Sequence, residues 1–475
     1  MDLSPLDASR LLFGLTACFH FLFVPLTLGL MAVIALLEIV ALRTGRAAYR
    51  EAARFWCWPF LLAFACGVLT GYPLRHQLAT NWSAFSELVA PVFSVVFAFE
   101  SRVFPAMLGL VALFAFGWRL PALWHALVST ALALLLVVQS AGILMLNAWM
   151  QHPVGTEVVD GQARITDLAA LVANPVFLPK VLHTVAGAWL LGGVLVVSVS
   201  AAWLRAGRHL AVARAAWRVA GPFTVAGLLG TGLAGHWSGE RLVAHQPLKF
   251  AAIEALWEAE PGHAPDLLLF AWPDMATRTN RHAVAWPGGL GWVVGGQPAF
   301  TGLRAATHGL PDVPLVFWSF RVMLGCWGVL ALLAAAAAVV GSDARRPLPR
   351  LVLRACAWAW PLPWVATEAG WLVNEIGRQP WAITGVLTTR ASLGGVTSSD
   401  VLAQLAVGVP VAALLLAACV AGTAVHVRRG PTERKKPPPG EPGGGLSDPT
   451  ALPRPGCLHQ VPNAKRAPLP GTAQV

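Results

Sequence analysis

The chain has 475 residues, of which 56% are hydrophobic and only 12% are charged, and its formal net charge is +11. A soluble domain carries about 25% charged residues, so this composition excludes an ordinary soluble enzyme and indicates a protein with several membrane spans. The arginines and lysines lie in short loops and near the C-terminus rather than on one basic face. This distribution favours a membrane and argues against a nucleic-acid partner.

Nine apolar segments are long enough to cross a bilayer as helices, since each can supply the about 20 residues that the hydrocarbon core requires. In chain order they cover residues 11–42, 55–72, 92–118, 122–148, 181–204, 215–236, 314–341, 351–374 and 401–426. We therefore predict an all-α, polytopic membrane protein with about nine transmembrane helices.

Loop charge predicts the orientation. Basic residues follow spans one, three, five, seven and nine, beginning with Arg43, Arg119, Arg205, Arg345 and Arg428. These loops share one side if nine helices alternate, and the positive-inside rule places that side in the cytoplasm. The N-terminus then faces outward and the C-terminus faces the cytoplasm.

The same pattern divides the chain into four parts. Residues 1–236 hold the first six spans, 237–313 form a long outer loop, and 314–426 hold the last three spans. Residues 427–475 are rich in Pro and Gly, and we predict a disordered cytoplasmic tail there.

Five ionisable or metal-capable side chains lie inside the spans: His20, Glu100, His183, Met323 and Glu375. Hydrocarbon penalises such groups, so they commonly mark a pathway or a cofactor. His20 is either a hydrogen-bonded packing histidine or an axial ligand of heme iron. Glu100 is either a buried, paired carboxylate or a proton relay, and we favour the relay.

Lys180 and His183 open span five on one helix face, because they are three residues apart. Lys180 is a candidate partner for a heme propionate, and the alternative is an interfacial lysine that snorkels. Met323 alone would be a packing residue, but His with Met is a recognised axial pair for heme. Arg321 points away from Met323 and needs a partner of its own, either a propionate or a carboxylate at a quinone site.

Trp371 and Glu375 share a face of span eight, and Arg378 follows where Gly and Pro end the helix. Arg378 can offset Glu375 or bind the anionic edge of a cofactor. In the outer loop, Lys249 and Glu254 could bind and deprotonate a hydroxylated ring. The alternative for that pair is an ordinary solvated salt bridge.

Together these segments resemble subunit I of the cytochrome bd-type quinol oxidases, from about Leu6 to Gly422. The matching motifs are Ser9–Arg10 with His20–Thr27, Thr80–Ser83, Asn147–Gln151, the segment around His183, Gln246–Glu254, and Glu368–Trp371 with Gly377–Trp381. The motifs occur in the family's order and on the matching helices.

The resemblance implies nine helices and a bacterial inner-membrane enzyme that oxidises quinol at the outer face. It would reduce oxygen to water with cytoplasmic protons, and so generate a proton motive force without a pump. The implied cofactors are a low-spin heme b, a high-spin heme b, and a heme d or third heme b. The implied partners are a homologous membrane subunit II, with a small single-helix subunit as a further candidate, and ubiquinol or menaquinol with oxygen as substrates.

The resemblance also implies roles for individual residues. His183 and Met323 would hold the low-spin heme b, His20 heme d and Glu375 the high-spin heme b. Lys249 and Glu254 would serve quinol oxidation, and Glu100 would lie on a proton or gas route. Arg10, Trp371 and Arg378 would support the hemes.

One departure from the family pattern concerns span three. A second carboxylate normally follows the first by about eight residues, where this chain has Leu108. The Gly-x-Pro before the first carboxylate is also replaced, by Ser94–Val96. This leaves a second hypothesis, a diverged paralogue that keeps hemes for electron transfer or redox sensing without efficient oxygen reduction. A heme-free transporter is a third hypothesis, against which the His183, Met323 and Gly377–Trp381 motifs argue.

Overall fold

The computed structural model describes residues 3–295, 299–341 and 349–431, and the side chains of 339–341 are left out. Most of the predicted tail therefore lies outside the described residues. The helices, in chain order, are α1 Pro5–Phe21, α2 Val24–Thr44, α3 Ala47–Thr80, α4 Ser83–Phe116, α5 Ala122–Gln151, α6 Leu168–Val172, α7 Phe177–Ala206, α8 Leu210–His245, α9 Pro247–Glu254, α10 Gly289–Val294, α11 Val313–Gly341, α12 Arg350–Trp358, α13 Pro361–Ile376 and α14 Ser398–Arg429.

Each of the nine predicted spans falls on one or two of these helices, and the all-α membrane fold is confirmed. Seven helical stretches in the described part of the chain are long and apolar enough to cross a bilayer. The two other predicted spans correspond to α8 and to α12 with α13. The total of nine and the orientation stay predictions.

Two predicted spans are interrupted. Span one is divided at Leu22 and Phe23 into α1 and α2, and span eight is divided at Ala359 and Trp360 into α12 and α13. In both places a proline stands near the start of the second helix, Pro25 in α2 and the first residue of α13. Proline has no backbone N–H to continue the preceding helical ladder, so the chain can turn there without losing a hydrogen bond.

Within the described ranges, three antiparallel hairpins join helices at one end of the bundle, and none was predicted. Their strands are β1 Thr156–Val159 with β2 Gln162–Ile165, β3 Leu267–Asp274 with β4 Thr279–Trp286, and β5 Trp381–Ile383 with β6 Leu387–Thr388. They follow α5, α9 and α13, so we call this the loop end of the bundle. The outer loop begins with the short helix α9.

The main hydrophobic core lies around α2, which packs against α3, α5 and α7. The crossing of α2 and α7 is very close: a Cβ added at Gly192 would lie 2.4 Å from the backbone carbon of Gly29. Glycines at the contact let the two backbones approach, as in other membrane helix pairs. This crossing fixes α7, which carries Lys180 and His183.

Candidate functional site

His20 lies near the C-terminal end of α1 and faces α3. Its Nδ1 is 3.1 Å from Oγ1 of Thr70, and a Cβ at Gly71 would lie 3.2 Å from the Cε1 atom of the ring. The Thr70 hydroxyl donates to the carbonyl oxygen of Cys66 at 2.8 Å. A hydroxyl has one hydrogen, so Thr70 accepts from Nδ1–H, and Nε2 of the neutral ring keeps its lone pair.

His183 lies in the second turn of α7 and faces α8. Its Nδ1 is 3.1 Å from the carbonyl oxygen of Thr231, and that oxygen can only accept. A Cβ at Gly235 would lie 3.1 Å from the ring, so the glycine leaves room for it. As at His20, the proton is on Nδ1 and Nε2 is available to bind a metal.

Met323 lies on α11, with its sulfur directed at α13. A Cβ at Gly370 would lie 2.9 Å from that sulfur. One helical turn further along α11, Trp327 donates its indole N–H to the carbonyl oxygen of Leu228 at 3.0 Å. Leu228 is on α8, less than one turn before the residue that anchors His183, so α7, α8 and α11 meet in this region.

The His20 side is linked to α13 by aromatic stacking. The rings of Phe21 and Trp371 lie 4.0 Å apart at an interplanar angle of 21°. Glu375 is one helical turn beyond Trp371. The structure therefore brings the end of α1, which carries His20, close to α13, which carries Trp371 and Glu375.

Glu375 accepts hydrogen bonds on both carboxylate oxygens. Asn147 donates to Oε1 at 2.9 Å and Asn374 at 2.6 Å, while Arg378 donates to Oε2 at 2.6 Å. Arg378 also donates to the carbonyl oxygen of Ala382. The predicted pairing of Glu375 with Arg378 is present.

Two lysines join the same cluster from other helices. Lys180 donates to Oδ1 of Asn147 at 2.6 Å and to Oδ1 of Asn374 at 3.0 Å. Lys249, from α9, donates to Oε1 of Gln151 at 2.6 Å and to the main-chain oxygen of Asn374 at 3.0 Å. Only 5% of Lys249 is exposed, and burial lowers the pKa of its ammonium group well below the ordinary value.

The charges in this cluster do not balance. Arg378 pairs with Glu375, while Lys180 and Lys249 bind the neighbouring amides. When all three cations are protonated, two positive charges lack a counter-charge in this part of the described structure. Buried charge is costly unless it is paired. The arrangement therefore suits a ligand that carries carboxylates.

Glu254 lies in different surroundings, although it is on the same short helix as Lys249. Arg321 donates to its Oε2 at 2.7 Å and also to the main-chain oxygens of Ile253 and Leu268. Burial raises the pKa of Glu254, and the guanidinium lowers it in part. Arg321 thus has a carboxylate partner, which was one of the two expected.

A cleft of about 450 Å³ opens beside Glu254 at the loop end. Its other lining residues include Trp257, Glu258, His263, Arg278 and Asn280. Lys249 does not line this cleft, and it makes no ion pair with Glu254 in the part of the chain that the structure describes. Lys249 and Glu254, which were predicted to act together on one ring, therefore face separate sites.

Two predicted site residues lie apart from these contacts. Arg10 is exposed on α1 and makes no hydrogen bond or ion pair with the described residues. Glu100 is half-buried on α4. The nearby positive charge is the guanidinium of Arg75 on α3, which lies over the ring of Phe97. Leu108, at the position of the missing carboxylate, is 43% exposed.

Sequence reasoning assigned no individual role to the polar residues that organise the cluster, although Asn147 and Gln151 lie in one of the matching motifs. Asn147, Gln151, Asn374 and Thr70 carry no charge, and amides and hydroxyls in apolar helices give no distinctive signal. Glu38 was also missed, although it is a carboxylate within span one. Its oxygens bind Nδ1 of His125 at 2.8 Å and the Ser129 hydroxyl at 2.9 Å.

Comparison with known proteins identifies the family. A family model described as cytochrome bd terminal oxidase subunit I matches residues 8–431. The chain belongs to this family. It is 32% identical to cytochrome bd-II ubiquinol oxidase subunit 1 of Escherichia coli K12, over 91% of this chain and 98% of the relative.

A second cytochrome bd relative and a solved structure agree with this identification. The chain is 33% identical to cytochrome bd ubiquinol oxidase subunit 1 of Bacillus subtilis 168, over 84% of this chain and 88% of the relative. It superimposes on the bd oxidase of Geobacillus thermodenitrificans with a TM-score of 0.83 and 27% identity, over 90% of this chain and 99% of that chain. The protein is thus a bd-type oxidoreductase with several spans in the bacterial cytoplasmic membrane, and heme is the cofactor of its family.

Proposed function

We propose that this chain is the heme-carrying subunit of a respiratory quinol:oxygen oxidoreductase. It oxidises quinol at the outer face, and oxygen is reduced to water with protons from the cytoplasm. This generates a proton motive force without a pump. The observation that carries the proposal is the pair of intramembrane imidazoles, His20 and His183, each with Nδ1 hydrogen-bonded and with no hydrogen bond to Nε2 from the described residues.

The donor set fits heme. His183 and Met323 would hold a low-spin heme b, His20 would hold heme d or a third heme b, and Glu375 would hold a high-spin heme b. Ligating histidines commonly donate their other N–H to a carbonyl or another acceptor, as both do here. When bound, the hemes supply the one-electron and oxygen chemistry.

The cationic cluster fits heme propionates. Lys180, Lys249 and Arg378 leave two positive charges beside Glu375, and each heme b carries two propionate carboxylates. Those carboxylates would neutralise the cluster. Lys249 would then act on a cofactor rather than on quinol, which differs from its expected role.

Quinol binding fits the cleft beside Glu254. A buried carboxylate whose pKa is raised by burial is a suitable acceptor for a hydroxyl proton. Arg321 fixes the position of that carboxylate, and the aromatic side of Trp257 can contact a ring.

The exposed apolar helices fit a membrane partner. Only 6% of the most apolar 18-residue stretch is buried within this chain in α11, and the same is true of α14. A homologous subunit II would cover part of that surface. A small single-helix subunit is a further candidate for the same faces.

The first experiment is a reduced-minus-oxidised spectrum of the purified complex with chemical typing of the hemes. We expect b-type bands and either a chlorin band or additional heme b, with oxygen uptake driven by quinol. A complex without heme would contradict the proposal.

A second function is favoured by α4 alone. The sequence has no second carboxylate near Leu108, and without it Glu100 would deliver protons along this helix less efficiently than the family's pair of carboxylates. A diverged bd protein would keep the hemes and pass electrons without efficient oxygen reduction. Normal heme spectra without quinol-driven oxygen uptake would support this alternative.

A further inference from the structure

Two histidines of the candidate heme sites are held through Nδ1, but by different acceptors. His183 donates to a main-chain carbonyl, which no side-chain substitution removes. His20 donates to the side chain of Thr70, which is 50 residues further along the chain and only 5% exposed. This contact can therefore be tested by substitution.

The Thr70 hydroxyl has one possible role towards His20. Its hydrogen is used in the bond to Cys66, with Gly67 as a second acceptor at 3.2 Å. The oxygen is left to accept from Nδ1–H. The helical geometry of α3 thus fixes the tautomer of a ring on α1, and the absence of a Cβ at Gly71 leaves space for that ring.

We propose that Thr70 is a positioning residue for the iron ligand His20. It keeps the proton on Nδ1 and the ring at one angle, so that Nε2 is the donor atom. This inference rests on the proposed function, in which His20 binds heme iron. A hydrogen bond to the second nitrogen makes an imidazole a stronger donor, which stabilises oxidised iron.

The expected effect is specific to one heme. Thr70→Val keeps the shape of the side chain and removes the acceptor, so the midpoint potential of the His20 heme should rise and its iron–imidazole stretching frequency should fall. Heme affinity at that site should fall about 10-fold or more. The heme held by His183 should be unchanged, and Thr70→Ser should restore the values of the unsubstituted protein.

Thr130→Val is the matched control. Thr130 on α5 also donates to a main-chain oxygen, that of Ala126 at 2.7 Å, and no histidine in the described part of the chain bonds to it. The measurements are redox titration and resonance Raman spectra of the purified complex, together with heme content. If Thr70→Val loses the heme, recovery of heme in Thr70→Ser still supports the inference.

Two results would overturn the role of Thr70: a loaded Thr70→Val protein with an unshifted potential, or a Thr70→Ser protein that behaves like Thr70→Val. Failure of the proposed function gives a different result. In that case His20→Ala would keep every heme band unaltered.

Discussion

Glu254 is bound by Arg321 on one side and faces the cleft on the other, so its role can be separated from folding. Glu254→Gln keeps the size of the side chain and an acceptor for Arg321, but an amide cannot take up a proton. We expect the rate of quinol oxidation to fall by about 10²–10⁴-fold, as when a general base is removed. Heme spectra should not change.

Glu258→Gln is the control for that substitution. Glu258 lines the same cleft, but it is exposed and forms a surface ion pair with Arg304 at 2.7 Å. Such a pair contributes little, so quinol oxidation should remain near the rate of the unsubstituted protein. Equal losses in the two variants, measured by oxygen uptake, would show that Glu254 is not the proton acceptor.

Lys249 should affect heme binding more than quinol binding. Its ammonium group adds to an excess of positive charge, so Lys249→Met should leave the heme-free protein as stable as before or more stable. The loaded protein should lose heme more readily, since removal of one partner from a buried ionic contact costs about 3–5 kcal/mol. Thermal release of heme measures the role of Lys249 in heme binding, and the KM for quinol measures a role in quinol binding. A raised KM with normal heme retention would contradict the heme-binding role.

Sequence reasoning found the charged residues of the site more readily than their contacts. His20, His183 and Glu375 were recognisable because charge and metal-binding groups are rare in apolar spans. Lys249 and Glu254 were predicted to act together because they are close in sequence. They are five residues apart on a helix, which directs them about 140° from each other, and only the packing of α9 shows which surroundings each one enters.

At the scale of helices, the crossing of α2 and α7 offers a direct test. Gly192→Ala places a Cβ 2.4 Å from the backbone of Gly29, whereas Gly187→Ala, on the same helix, meets nothing within 4 Å. Both substitutions raise the helix propensity by a similar amount. The difference in stability between the two variants therefore measures the cost of the contact with Gly29. We expect Gly192→Ala to destabilise the protein by about 1–3 kcal/mol relative to Gly187→Ala.

Heme content provides a second measurement for this pair, because α7 carries His183. Thermal unfolding in detergent should show the lower transition temperature in Gly192→Ala, accompanied by loss of the low-spin heme signal. Identical transitions would mean that the two helices can separate at little cost.

Helix positions were predictable from hydropathy, but the connections were not. The strands β1, β2, β5 and β6 have four residues or fewer, and the longer β3 and β4 include irregular register and a largely exposed face. No alternating pattern marks them, so the sequence showed only a long outer loop. The breaks before α2 and α13 were missed for a related reason, since apolar composition continues through both.

At the scale of the molecule, a histidine pair couples α5 to α8 at the loop end. The rings of His152 and His245 lie 4.6 Å apart. Burial and then the His245 imidazole lower the pKa of His152, while burial and then Arg241 lower the pKa of His245. The unfolded chain, whose histidines have the ordinary value of 6.5, therefore binds more protons than the folded chain.

This difference predicts acid sensitivity. Stability should be intact above about pH 6.5 and should decrease as the pH falls from there towards the lowered pKa values. His245→Gln should reduce the slope of transition temperature against pH between pH 5 and 7. His263→Gln, at an exposed position, should not. An unchanged slope in His245→Gln would remove the pair as the cause.

Orientation determines whether oxidation of quinol moves charge across the membrane. If the loop end faces outward, protons from quinol at Glu254 are released outside while those for water enter from the cytoplasm. Single cysteines test this directly in intact spheroplasts with a membrane-impermeant maleimide. Ala276→Cys, exposed in the turn between β3 and β4, should be labelled, whereas Arg46→Cys, exposed between α2 and α3, should react only after lysis. The reverse pattern would place the cleft in the cytoplasm, where release and uptake of protons on one side would generate no gradient.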